Sequence, residues 1–155
     1  MSGGLTLGSI LSDALRKADQ SNPHASPIVA AAFGDRDSLR VLANAAYVDA
    51  EASSGVTRLI SLVEALTFIR LAAAQGQTPD RRQAVYLYDA IAADLTRNGL
   101  ADAGVPFAAR ALALSELMAI DGDEQMAAIV ASHAEELPAE VHAQARELVE
   151  WSRTQ

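Results

Sequence analysis

The chain has 155 residues, 50% of them apolar and 21% charged, with no cysteine. That length and apolar content suit one compact domain and exclude a disordered chain, while no uninterrupted apolar run reaches the roughly 20 residues of a membrane helix. Twelve basic against 20 acidic residues leave a net charge of -8, which argues against a phosphate-binding face for nucleic acid.

Met1 to Gly8 carries neither a basic stretch nor a sustained apolar run, so a secretory leader is not expected. The lack of cysteine accords with a reducing, cytoplasmic setting and removes thiolate metal sites and cysteine nucleophiles. Alanine, with 33 copies, is the commonest residue. It loses no side-chain entropy in a helix, and β-branched residues nowhere alternate over a strand length. The expected fold is all-α, a bundle of about seven antiparallel helices in a single domain over 1–155, with 1–24 as a more loosely packed leading helix.

Leu7, Ile10, Leu11, Leu15 and Ala18 recur at helical spacing, and Asn22-Pro23 closes that segment. Ser26-Pro27 reads as a cap followed by the first helical position, and Gly34 as a stop after a short helix ending at Phe33. Leu39, Leu42, Ala43, Ala46 and Ala50 make the next stripe, closing near Ser53-Ser54-Gly55. With Thr57 as its cap, residues 59–74 follow, apolar almost all round. Only Ser61, Glu64, Thr67 and Arg70 interrupt them, in steps of three that drift around a helix and make no clean polar face. This segment is expected to be the central, most buried helix.

Thr78-Pro79-Asp80 opens another helix. Its core stripe is Ala84, Leu87, Tyr88, Ile91 and Leu95, and Asn98-Gly99 stops it. Leu100–Gly104 reads as a loop before Val105-Pro106 and a helix carrying Phe107, Ala111, Leu114 and Met118. In Asp121-Gly122-Asp123, Gly122 ends one helix and Asp123 caps the next, on which Met126, Ile129, Val130 and His133 face inward. Pro138 opens the last helix, with Val141, Ala145, Leu148 and Trp151 expected in the core.

Small-residue helices flank glycine turns near Gly34, Gly76 and Gly122. Around the third, Leu114, Ser115, Met118, Gly122, Ala127 and Ala134 approach tetratricopeptide spacing over about one unit. The interval between units is 43 residues rather than that family's 34, so an irregular bundle is expected before a true repeat array.

Nucleotide loops, nucleophile elbows and paired His-Glu metal motifs are absent from the sequence. His133, Glu136 and His142 could supply metal ligands near Pro138, but a hydrogen-bonded histidine at a turn explains them as well. Asp121-Gly122-Asp123-Glu124 fails as a calcium loop, because Met126 and Ser132 fall where glycine and glutamate are needed. Glu64, if buried, would be a general-acid candidate; the expectation ahead of that is that it emerges at a helix edge or pairs with an arginine of another helix. Arg70 lies six residues on, on another face. Arg81 and Arg82 could bind an anion, or simply pair with Asp80, Asp89 or Asp94. Tyr88 falls on the core stripe and Tyr86 beside it, exposed.

The leading expectation is a non-enzymatic interaction or regulatory domain whose partner is a protein or a second copy of itself, with an apolar patch near Tyr86 and the Arg81-Arg82 corner. Neither a cofactor nor a metal, and neither nucleic acid nor membrane as partner, is expected. Its rivals are a small-molecule bundle or enzyme with a pocket beside residues 57–75, using Glu64, Arg70, Tyr88 and His133, and a self-assembling structural subunit.

Overall fold

A computed structural model describes residues 25–155. The helix expected over 7–18, and His24, lie outside the described residues. Among those described, seven helices follow one another: α1 (Ala25–Ala32), α2 (Arg36–Glu51), α3 (Gly55–Ala73), α4 (Thr78–Arg97), α5 (Ala101–Ile120), α6 (Glu124–His133) and α7 (Ala139–Arg153). No strand occurs among them. Connections of three to five residues turn each helix back against its predecessor, except α7, which packs on α5 instead of α6.

The turn chemistry read from the sequence sets most boundaries. Asp35 caps α2 by accepting a hydrogen bond from the Ser38 amide at 2.8 Å. Asp123 caps α6 by accepting from the Met126 amide at 3.2 Å. Between Asp121 and Asp123, Gly122 has φ +95°, in the left-handed region that side chains with a Cβ disfavour. Two boundaries differ from expectation. Gly55 opens α3 rather than closing α2, so Thr57 lies inside the helix and not at its cap. Helix α5 begins at Ala101, not after Gly104, and carries Pro106 in its second turn. Pro106 has no N–H, so the Asp102 carbonyl loses its usual partner. Packing keeps the turn helical: a Cβ at Gly104 would lie 3.0 Å from the Ala92 carbonyl oxygen, so α4 and α5 touch backbone to backbone there.

Packing runs mainly between successive helices, α1 on α2, α2 on α3, α3 on α4, α4 on α5 and α5 on α6, with α7 returning to α5. The main core gathers Leu39, Leu62, Ile69, Val85, Ile91 and Met126, from α2, α3, α4 and α6. A second cluster joins Ala109, Leu112 and Ala113 of α5 to Val141, Ala145 and Val149 of α7. Trp151, expected in the core, is 63% exposed. Val149 takes the buried place instead, one helical turn beyond Ala145.

Helix α3 is not the central helix. Leu62, Ala65, Leu66, Ile69 and Ala72 are buried, but Val56, Ile60, Val63 and Leu71 face water. The middle place belongs to α4 and α5, which link the first three helices to the last two. Helix α5 is long and apolar enough to cross a bilayer by length and composition; here its apolar residues pack against α4, α6 and α7.

Arginine–aspartate pairs staple the stack. Arg40 of α2 donates from Nε at 2.6 Å and from a terminal nitrogen at 3.0 Å to Asp80 of α4, whose side chain is 2% exposed. Arg82 of α4 repeats this with Asp123 at the start of α6, at 2.8 and 2.9 Å. The acids Asp80 and Asp123 are 43 residues apart and the two arginines 42, so the same clamp is made twice, from α2 to α4 and from α4 to the start of α6. Arg58 of α3 donates to Asp94 of α4 at 2.9 Å, to the Ala50 carbonyl at 3.0 Å and to Glu51 at 2.9 Å. Bidentate guanidinium–carboxylate geometry fixes orientation as well as charge.

Candidate functional site

Glu64 and Arg70, both on α3, are exposed. The buried general acid sketched from the sequence is therefore not formed: Glu64 leaves the apolar helix on its wet side. Tyr88 is buried, with its ring 6.4 Å from that of Phe107 and tilted by 48°. Of the four groups proposed for a pocket beside residues 57–75, only His133 borders a sizeable cavity, and that cavity lies elsewhere.

Arg81 and Arg82 do share a corner with Thr78 and the Asp121–Asp123 turn, around a polar hollow of about 250 Å³. Both are answered from within the chain. Arg82 holds Asp123, and its hydrogen bonds keep that carboxyl below the usual range. Arg81 approaches Asp121 at 4.0 Å. Pairing with acids was anticipated; the partners are these two rather than Asp80, Asp89 or Asp94. Arg82 is thereby committed within the chain, while Arg81 makes only its long, exposed contact with Asp121. Tyr86 is exposed as expected, and its hydroxyl accepts a 2.6 Å hydrogen bond from Gln125. A hollow of about 290 Å³ beside Tyr86 is lined by Tyr47, Gln83, Leu87 and Ala90, but the longest exposed apolar row among the described residues is not there.

It lies instead on α3. Val56, Ile60, Val63 and Leu71, with Thr67 among them, are spaced by four, three, four and four residues, one face of a helix. The row runs about 22 Å at 1.5 Å per residue. Thr67 turns its hydroxyl back to the Val63 carbonyl at 2.8 Å, so the polar group interrupting the row is already bonded. Glu64 and Arg70 flank the row on opposite sides. More broadly, Phe33 in the turn after α1 and Val41, Tyr47 and Val48 on α2 are also exposed, whereas the acid excess lies beyond residue 77: 13 acids against 6 bases over 78–155. One end of the molecule is apolar and near neutral, the other acidic.

A second feature is a cleft of about 750 Å³ between α4, α5 and the α6–α7 turn. Its walls include Ala92, Val105, Ala108, Leu137 and Val141, and its polar lining is Asp89, Thr96, Arg97, Asp102, His133 and Glu140. Burial pushes the Asp89 carboxyl above its ordinary value, and His133 partly offsets this. His133 Nδ1 is buried without a hydrogen-bond partner, 3.8 Å from Glu136. His142 does not join them: among the described residues no group of three His, Asp or Glu side chains converges for a metal.

Comparison with known proteins adds no family. No protein-family model matches the chain, and no curated protein or solved structure is significantly similar to it.

Both features were partly visible in the sequence. The spacing 56-60-63-67-71 is a helical face, but a helix apolar on every side hides which face is inward. Asp89 was one acid among several, and its isolation emerges only once Asp80 and Asp94 are known to be held by arginines.

Proposed function

We propose that the chain is a helical protein-interaction domain whose docking face is the outer surface of α3. The observation that carries this is the exposed row Val56, Ile60, Val63 and Leu71. Scattered exposed apolar residues are ordinary, but an aligned row along four helical turns is the kind of surface that partners cover. The partner it fits is an amphipathic helix of about four turns, its apolar side on this row, with a cation placed for Glu64 and an anion for Arg70.

Two measurements on the full chain test the reading. Sedimentation velocity decides whether the partner is a second copy; in that case Ile60→Asp converts the assembly to monomer without loss of helicity. If the wild type is a monomer, a photo-crosslinking residue at Ile60 in the native cell captures a partner, identified by mass spectrometry. That partner, once purified, binds the wild type and not Ile60→Asp. A monomer whose Ile60 adducts match those from exposed Glu150 on α7 overturns the proposal.

A further inference from the structure

We propose that the cleft between α4, α5 and the α6–α7 turn binds a small apolar amine, with its ammonium group at Asp89 and its hydrocarbon part against Val105, Ala108 and Val141. This is a ligand site separate from the α3 face, on other helices.

Shape comes first. At about 750 Å³ the cleft falls in the range of small-molecule sites, which run from roughly 300 to 1,000 Å³ and combine apolar walls with a few polar groups. Helix α5 brings Val105 and Ala108 to it one turn apart, and α7 supplies Val141 at its first turn. Alanines on α4 and α5 keep it open: Ala92, Ala93 and Ala101 line it, where larger side chains would fill the space, while Gly104 lets the two helices close to contact at its floor.

Charge selects the ligand class. The lining holds three carboxylates, Asp89, Asp102 and Glu140, one guanidinium, Arg97, and one imidazole, His133, whose charge when protonated favours the Asp89 carboxylate. Arg97 is already committed to Asp94 and the Ala93 carbonyl. Asp89 differs from the neighbouring acids of α4. Asp80 is held by Arg40 and Asp94 by Arg58 and Arg97, whereas no hydrogen bond or ion pair reaches Asp89 among the described residues. It is half-buried and partly stripped of water, and that desolvation raises its pKa. A carboxylate in this position gains most from a cation that arrives with apolar atoms attached, because the apolar part displaces cleft water while the charge meets its counterpart. An anionic amphiphile would instead face three carboxylates.

The test uses decylammonium, decanol and decanoate as probes of one chain length and three charges. Isothermal titration calorimetry on the full chain at pH 7 gives the affinities, and ¹H–¹⁵N spectra locate the site. Decylammonium is expected to bind at least ten-fold more tightly than decanol and to shift amides around residues 89–108 and 137–141. Asp89→Asn abolishes the ten-fold preference and retains the decanol affinity. Ala108→Phe, which fills the cleft and leaves every charge in place, weakens both probes; the same spectra verify that each variant is folded. Equal or tighter binding of decanoate, binding of decylammonium unaffected by Asp89→Asn, or no binding of any probe to the folded protein overturns the assignment.

Discussion

Helix α3 allows a direct comparison between two isoleucines nine residues apart. Ile69 is 0% exposed in the main core, while Ile60 is 62% exposed on the outer row. Ile69→Ala deletes three carbons from a site without water. At about 0.8 kcal/mol per buried methylene the transfer loss is about 2.4 kcal/mol. Incomplete collapse of the surrounding α2 and α4 side chains adds about 1 kcal/mol, for a total near 3–4 kcal/mol, within the measured range of roughly 2–5 for such truncations. Ile60→Ser leaves no cavity and is expected to change stability by no more than about 0.5 kcal/mol. Urea unfolding followed by circular dichroism at 222 nm resolves the two: the midpoint falls sharply for Ile69→Ala, stays put for Ile60→Ser, and the slope is the same in both. Comparable losses at both positions would mean that the outer face of α3 is covered in the native protein, and the inside-outside assignment of this helix would be refuted. The same pair separates folding from binding, since only Ile60→Ser is expected to impair partner capture.

Three further outcomes follow from the staples and turns. Arg40→Met strands the buried carboxylate of Asp80, whereas Asp80→Leu leaves an arginine that can turn to water. Thermal melts should therefore place Arg40→Met lowest and the double variant Arg40→Met/Asp80→Leu well above it; a double variant as weak as Arg40→Met would refute the clamp. The Asp123 carboxyl is held low, first by the Arg82 hydrogen bonds. Its contribution is present above the unfolded value of about 3.9 and is lost as pH falls through the folded value. Asp123→Asn is expected to flatten the acid limb of a stability-against-pH curve below about pH 4 while lowering stability at pH 7, and curves that stay parallel would count against this. Gly122→Ala puts a Cβ on a residue at φ +95°, at an expected loss of about 1–2 kcal/mol in the same urea assay.

The helices were legible because their ends carry local chemistry. Asn98-Gly99 and Asp121-Gly122-Asp123 act within a few residues, so sequence suffices to place them. The start of α5 was not legible, because Pro106 argues against helix in the residue before it, and the opposing influence, Gly104 against the Ala92 carbonyl, comes from another helix. The inward face of α3 was hidden for a related reason. Its apolar residues occupy both sides, and only the position of α2 and α4 decides between them. Arginine pairing shows the same limit. That Arg82 would meet an acid could be anticipated from charge; that it would meet Asp123 depends on α6 folding back beside α4. Glu64 follows the expectation that it leaves the helix at an edge, because an unpaired carboxylate is costly to bury; which edge is wet depends on where α2 and α4 pack.

The order of packing has a consequence for how the molecule comes apart. Helices α1 to α3 make their substantial contacts with one another and with α4, and α6 and α7 make theirs with α5. Such a chain behaves as coupled segments in a line, with stability set by each segment and its interface to the next. Native-state hydrogen exchange would then be graded rather than uniform: slowest in the α4–α5 hairpin, which has neighbours on both sides, and faster toward α1 and α7, which open without disturbing the middle. The α3 face lies toward one of these yielding ends, so a partner seated there would also act as a brace, extending protection outward from α4 into helices that otherwise open first.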